Sequence, residues 1–276
     1  MNCPTGIPRP LRGVAVLLAI VAFSAGSLCA QHAPPEGVFQ AGEELVYNVT
    51  YAGFNLGQIR MRLADTALPG SGPSYAARAH IDSYRSVPFV SLHTTYETIF
   101  TPAGYSVWFR SRTEHDTAWS VCTYTFAYDR KCVMIARYLT AGPVVGAADT
   151  IALDTLYQDG LSLLYAVRKF LAPGARLRFP GIVSEKKGDA LVEVDAAQDH
   201  ESIDAIPYPV RLLHCTGNAA FVGVYGLSGE FEGWFTDDAA RIPVIAKLKV
   251  LIGSVRIELM KWKRDGWMPP EYRKEK

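Results

Sequence analysis

Glu44-Leu45-Val46-Tyr47-Asn48-Val49-Thr50-Tyr51 (residues 44–51) decides the fold class. Leu45, Tyr47, Val49 and Tyr51 take every second position, with Glu44, Asn48 and Thr50 between them. Successive side chains of a strand point to opposite faces, so this spacing marks a strand with one buried face. After a turn containing Gly53 and Asn55, Ile59, Met61 and Leu63 alternate with Gln58, Arg60 and Arg62. Two such runs joined by a Gly-containing loop predict a β-hairpin. Pro69-Gly70-Ser71-Gly72-Pro73 then breaks the chain direction.

Further candidate strands lie at Tyr75–Ser83, Leu92–Phe100, Tyr105–Thr113, Trp119–Tyr128 and Cys132–Leu139. Their Thr, Tyr, Phe and Val content suits a pleated surface, and they read as an antiparallel meander. Strands resume at Arg176–Val183, Ala190–Asp195, Gly223–Phe235, Val244–Ile252 and Val255–Lys261. Between the two groups, from Thr155 to Leu171, the apolar spacing becomes helical. Leu161, Leu164, Tyr165 and Arg168 follow i, i+3, i+4, i+7, and Ala172-Pro173-Gly174 is a stop. Asp154 or Asp159 is placed to cap the start. A lone helix in a β chain must lay its apolar face on the sheet. The expected fold is mainly β: a strongly curved antiparallel sheet, or open β-barrel, with one α-helix packed on the concave side. Leu56–Leu63 and Ile252–Leu259 look alike, each placing Gly before an alternating strand, but the shared period is the generic one.

The N-terminus predicts where the protein works. Arg9 and Arg12 precede the apolar run Val14 to Phe23, small residues follow, and Ala30 offers a cleavage point. That order is a secretory signal peptide, too short to span a bilayer comfortably, which takes about 20 apolar residues. Leu28 stands where a lipoprotein signal carries a small residue before its cysteine, here Cys29. The expected organisation is a signal peptide at 1–30, a flexible lead-in at 31–41, one β-rich domain at 42–264 and a C-terminal tail at 265–276. The expected location is the periplasm or the periplasmic face of the outer membrane.

The 276 residues carry a net charge of only +1, which argues against a nucleic-acid partner. A hydrophobic content of 49% is ample for a packed core. Beyond the leader the cysteines are Cys122, Cys132 and Cys215, an odd count that leaves at least one unbridged within the chain. The turn read at Asp129 to Lys131 does not set Cys122 opposite Cys132, so buried thiols are favoured over a bridge.

No phosphate-binding loop, dinucleotide fingerprint, zinc-spaced Cys/His set or nucleophile elbow is present, and no cofactor is expected. His93 and Glu97 share a strand face, and Glu114, His115 and Asp116 cluster in one polar loop. Asp237-Asp238 reads as a turn whose acids cap the backbone or pair with Arg241. The aromatics carry more information, because large rings inside a curved sheet can line an apolar cavity. Tyr47, Tyr51, Trp108, Phe126, Leu164 and Tyr165 are the candidate ligand-binding residues. The segment Lys261-Trp262-Lys263-Arg264-Asp265-Gly266-Trp267 mixes cations with Trp and could graze a membrane surface.

Three blocks carry a family resemblance: Gly42–Tyr51, Asp159–Arg168, and Trp234–Val244 through Gly253–Leu259. They resemble a bacterial exported domain-of-unknown-function family, number 3108. One departure is Gly160, where the family's helix start would carry Pro. The resemblance implies a β protein of the cell envelope with no settled activity, similar to the half-barrel with an inner helix of lipoprotein carrier proteins. The expected function is non-enzymatic binding or carriage of a lipid or lipoprotein acyl chain, with the helix as a movable plug. The alternative is a structural or protein-interaction module of the envelope with no small-molecule ligand. The oligomeric state is not legible.

Overall fold

A computed structural model of the chain describes residues 37–68, 72–87, 91–115, 118–140, 147–220, 229–250 and 253–274. The signal peptide read at 1–30 lies outside them, as do Asp116 and the turn residues Pro69 to Ser71.

Fifteen strands and one helix are formed among the described residues. The first eight strands are β1 (Glu44–Tyr51), β2 (Phe54–Leu68), β3 (Gly72–Ser83), β4 (His93–Phe100), β5 (Ser106–Glu114), β6 (Trp119–Ala127), β7 (Cys132–Leu139) and β8 (Ala147–Ala152). Helix α1 (Ser162–Phe170) follows. The chain then forms β9 (Arg176–Val183), β10 (Lys186–Val194), β11 (Asp199–Glu201), β12 (Val210–Ala219), β13 (Gly229–Thr236), β14 (Pro243–Lys249) and β15 (Ser254–Lys263). All join one sheet in the order β8-β7-β6-β5-β4-β3-β2-β1-β15-β14-β13-β12-β10-β9, with β11 on β12. The fold is the expected one: an antiparallel sheet, not closed, that packs one helix on its inner face.

The inner face is set by parity. Leu45 and Tyr47 of β1, Met61 and Leu63 of β2, Ala77 and Ala79 of β3, and Phe109 of β5 are all buried in one cluster with Leu161 and Tyr165. Tyr165 stacks on Phe100 with ring centroids 5.0 Å apart, and Phe39 meets both rings edge-on. Burying a large apolar side chain stabilises by about 1.5–3 kcal/mol, so this cluster fixes which face of the sheet the helix covers.

The helix is nine residues long, shorter than the segment Thr155 to Leu171. Residues before it are extended, because the free edge of β9 takes their backbone. Gln158 N–H donates to Pro180 O at 2.9 Å, and Ile182 N–H donates to Gln158 O at 2.8 Å. Ser106 N–H donates to Tyr157 O at 3.1 Å, so the same segment ties β9 to the start of β5. Asp159 then starts the helix: Oδ1 accepts from the N–H of Leu161 at 2.7 Å and of Ser162 at 2.9 Å.

Parts of the lead-in and of the C-terminal tail belong to the packing. Val38 is 4% exposed and Phe39 packs on the core, which shortens the flexible lead-in. In the tail, Trp267 Nε1 donates to Asp238 Oδ2 at 2.7 Å, and Tyr272 stacks on His200 with centroids 4.1 Å apart. Arg264 is held by Glu43, which ties the Lys261–Trp267 segment to the start of β1.

Candidate binding site

The strands β2 to β6, the start of α1 and the tip of the β9–β10 hairpin line an open cavity of about 660 Å³. Ligand pockets usually span about 300–1,000 Å³. Ile59 and Met61 line it from β2, Ala79 and Ile81 from β3, and Tyr96 and Phe109 from β4 and β5. Leu161, Leu163 and Leu164 supply the helical wall, and Phe231 and Leu248 the wall from β13 and β14. These are the inner-face positions of period-2 strands, which is why aliphatic side chains dominate the lining.

The charged groups of the lining are already paired. Glu185, at the hairpin tip, forms an ion pair with Arg137, and its N–H donates to Tyr124 Oη at 3.0 Å. Glu230 pairs with Lys249. Cys122 Sγ lies 3.7 Å from Glu185 Oε1. Burial pushes the Cys122 thiol up to about 11, and the Glu185 carboxylate adds to the shift. Ser184 and Glu185 both have positive φ, 49° and 63°, as a tight hairpin turn requires. The hairpin tip is thus held across the inner face by β6 and β7.

The model of a protein of unknown function (DUF3108) matches residues 46–260. The chain belongs to that family. The DUF3108 match spans the sheet from β1 into β15, and so includes every wall of the cavity. The crystal structure of a beta-barrel-like protein of domain of unknown function DUF1849 from Brucella abortus is similar in fold. It has a TM-score of 0.52 at 10% identity, covering 80% of this chain and 97% of that one. A YmcC-like protein from Bacteroides fragilis covers 82% of this chain and 97% of that one at 13% identity, with a TM-score of 0.32. No curated protein matches the sequence.

Of the six residues singled out by sequence in this DUF3108 chain, Leu164 lines the cavity. Tyr47, Phe126 and Tyr165 face the same interior but are packed beneath it, each no more than 5% exposed. Tyr47 Oη donates to Pro243 O at 3.0 Å and so joins β1 to β14. Tyr51 stands at the end of β1, half-buried, with its ring 3.9 Å from where a Cβ on Gly253 would stand. Trp108 is corrected: it lies on the outer face, opposite Ile99 and Thr125. Phe109 is its inward neighbour, and adjacent strand residues cannot share a face. The aliphatic lining follows from strand parity, which ring size does not report.

The acids weighed as chemical groups have structural partners. Glu97 binds Arg78 and Arg110, while His93 pairs with Asp82 at 2.8 Å, so His93 and Glu97 do not form a site. Asp238 Oδ1 accepts from the N–H of Ala240 and Arg241, and Asp237 pairs with Arg241 at 3.0 Å, as the turn chemistry predicts. Cys122, Cys132 and Cys215 are free thiols. Among the described residues no group of His, Cys, Asp and Glu could hold a metal, and no helix is long and apolar enough to cross a membrane.

Two buried polar clusters anchor the helix under the cavity. Asp159 Oδ2 accepts from Thr98 Oγ1 at 2.5 Å and Ser106 Oγ at 2.6 Å, completing four bonds to its carboxylate. Burial raises its pKa, and these donors offset part of the rise. Arg168 is fully buried and binds both carboxylate oxygens of Glu43, which also takes Arg264. Breaking such a pair leaves a buried charge, so moving the helix aside would cost the Arg168–Glu43 pair.

Proposed function

We propose that this protein is a non-enzymatic carrier of the bacterial cell envelope that takes an apolar or amphipathic chain, a lipid or lipoprotein acyl group, into the inner-face cavity. Export rests on the signal-peptide pattern of residues 1–30. The observation that carries the reading is the cavity itself: about 660 Å³ of apolar-lined space in a protein whose other buried polar groups are nearly all satisfied. Open clefts of this size with mostly apolar walls are the usual form of a small-molecule site. Space on this scale, walled by Ile59, Ile81, Leu161 and Leu164, fits an aliphatic chain better than a polar metabolite, because most of its wall is aliphatic or aromatic. The ion pairs at Glu185 and Glu230 lie where an amphiphile's polar end would emerge.

The test is native mass spectrometry of the mature protein purified from its own envelope, followed by lipid extraction. A stoichiometric amphiphile in the wild type that is lost from a folded Leu164→Asp variant supports the reading. A protein that stays empty after exposure to total envelope lipid overturns it in favour of an envelope interaction module.

A further inference from the structure

The outer face of β2 to β5 carries a basic field that the cavity does not use. The strand register sets Arg62, Arg78, Glu97 and Arg110 side by side across four strands. The neighbouring row is Arg60, His80, Thr95 and Arg112. On the other side runs an apolar row, Ala64, Ala76, Ile99 and Trp108, forming the floor of a trough of about 400 Å³.

Like charges directly opposite on a sheet are destabilising, yet Arg62 faces Arg78. Glu44 neutralises Arg62 at 3.3 Å, and a single glutamate, Glu97, serves both Arg78 and Arg110. Arg60 bonds only the Gln58 side chain and Arg112 stacks over Trp119 at 4.9 Å; neither has a carboxylate partner among the described residues. On this face five arginines stand against four acids, Glu44, Asp82, Glu97 and Glu114, and the excess is carried by Arg60 and Arg112, which pair with none of them. Asp82 and Glu114 lie at the field's cavity-side margin, where Asp82 is paired with His93.

We infer that this face docks the protein on an anionic phospholipid surface. Charge alone would suit any polyanion. The indoles select the bilayer: Trp108 sits under Arg110 and lines the apolar trough, and Trp119 sits under Arg112 at the opposite margin of the field. Aromatic rings and basic heads side by side are what an interface of head groups and acyl chains rewards. The inference rests on the outer face alone and stands whether or not the cavity holds a lipid.

Co-sedimentation tests it, using the mature protein with phosphatidylcholine vesicles, with and without phosphatidylglycerol, at low and high salt. Binding is expected only with phosphatidylglycerol and is expected to weaken with salt. The double variant Arg60→Gln/Arg112→Gln breaks no ion pair, so it keeps its fold by circular dichroism and loses affinity about 30-fold. Trp108→Ala/Trp119→Ala weakens vesicle binding but leaves retention on immobilised polyphosphate unchanged. Binding that ignores phosphatidylglycerol, or survives in the arginine variant, overturns the inference. So does polyphosphate binding with no vesicle binding, which would make the partner a soluble polyanion.

Discussion

Arg168 and Glu43, 125 positions apart, form a two-point ion pair at 2.7 and 2.9 Å, with side chains 0% and 1% exposed. The remaining Arg168 donors reach the carbonyl oxygens of Val38, Ala240 and Arg241. One side chain thus joins the helix to the lead into β1 and to the β13–β14 turn.

Removing one partner from a buried pair costs about 3–5 kcal/mol, because the other charge stays buried and uncompensated. Arg168→Met is expected to lose that much in urea denaturation. For Glu43→Gln, which strands two arginines, the loss falls in the same range. A loss below about 1 kcal/mol, the value of an exposed pair, would show that the cluster is solvated.

Stability should also carry a signature in acid. Burial alone would raise the Glu43 carboxyl, but Arg168 and Arg264 outweigh it and hold the group below the usual carboxylate range. Its contribution is therefore present above the unfolded-state value and is lost as pH falls through the lower folded-state value. Asp159, raised by burial, works the other way: its relative contribution is full at low pH and is lost as pH rises through its folded-state value. The stability gap between wild type and Glu43→Gln should then narrow as urea midpoints are measured from pH 7 down to pH 3. A constant gap would refute the assignment.

Cys122 is a native reporter of cavity occupancy. Its thiol is pushed up to about 11 by burial, so little thiolate exists at pH 8 and alkylation by iodoacetamide should be slow. A saturating fatty acid should slow it further and leave Cys132, which is not in the cavity lining, unchanged. Equal protection of both residues, read by mass spectrometry, would point to global stabilisation and not to occupancy.

Two glycines that look equivalent in sequence should respond differently to Ala. A Cβ on Gly57 would stand 2.3 Å from the Asp82 carbonyl oxygen and 3.0 Å from Ser83 Cα, so β3 would have to move. Overpacking of that kind costs about 1–3 kcal/mol. Gly253 has room around it but a φ of +78°, so its cost is backbone strain, relieved more by Asn than by Ala. Chemical denaturation of Gly57→Ala, Gly57→Asn, Gly253→Ala and Gly253→Asn separates the two causes, and a benefit of Asn at position 57 would contradict the first.

The likeness of Leu56–Leu63 and Ile252–Leu259 thus arises from close approach in one case and turn geometry in the other. Elsewhere, parity made most of the fold legible. Strands β1 to β7 stand within a few residues of their expected positions, since one face of each is buried. Strand β12 was hidden because Leu212 and Leu213 are both fully buried, one on each side, which erases the period of two. The C-terminal chain pairs with its start, with Arg211 N–H donating to Pro270 O at 2.8 Å. The cavity is only partly legible in sequence: helical spacing points to Leu164, whereas ring size does not separate outward Trp108 from inward Phe109, and Ile59 and Ile81 look like any inward strand residue. Arg168 on the apolar stripe of a helix signalled a buried partner, but spacing along the chain cannot reach across 125 residues to Glu43.

The pairing of β1 with β15 also sets an order of assembly. Strands β1 to β8 are neighbours in sequence and can zip locally, but the second edge of β1 stays open until the last strand of the sheet arrives. An open edge is a template for other chains, and pairing over so long a separation is slow. A chain cut short before Ser254 would expose that template permanently. The step that completes this molecule is the meeting of its two ends, and for a nascent or truncated chain the hazard is aggregation rather than loss of binding.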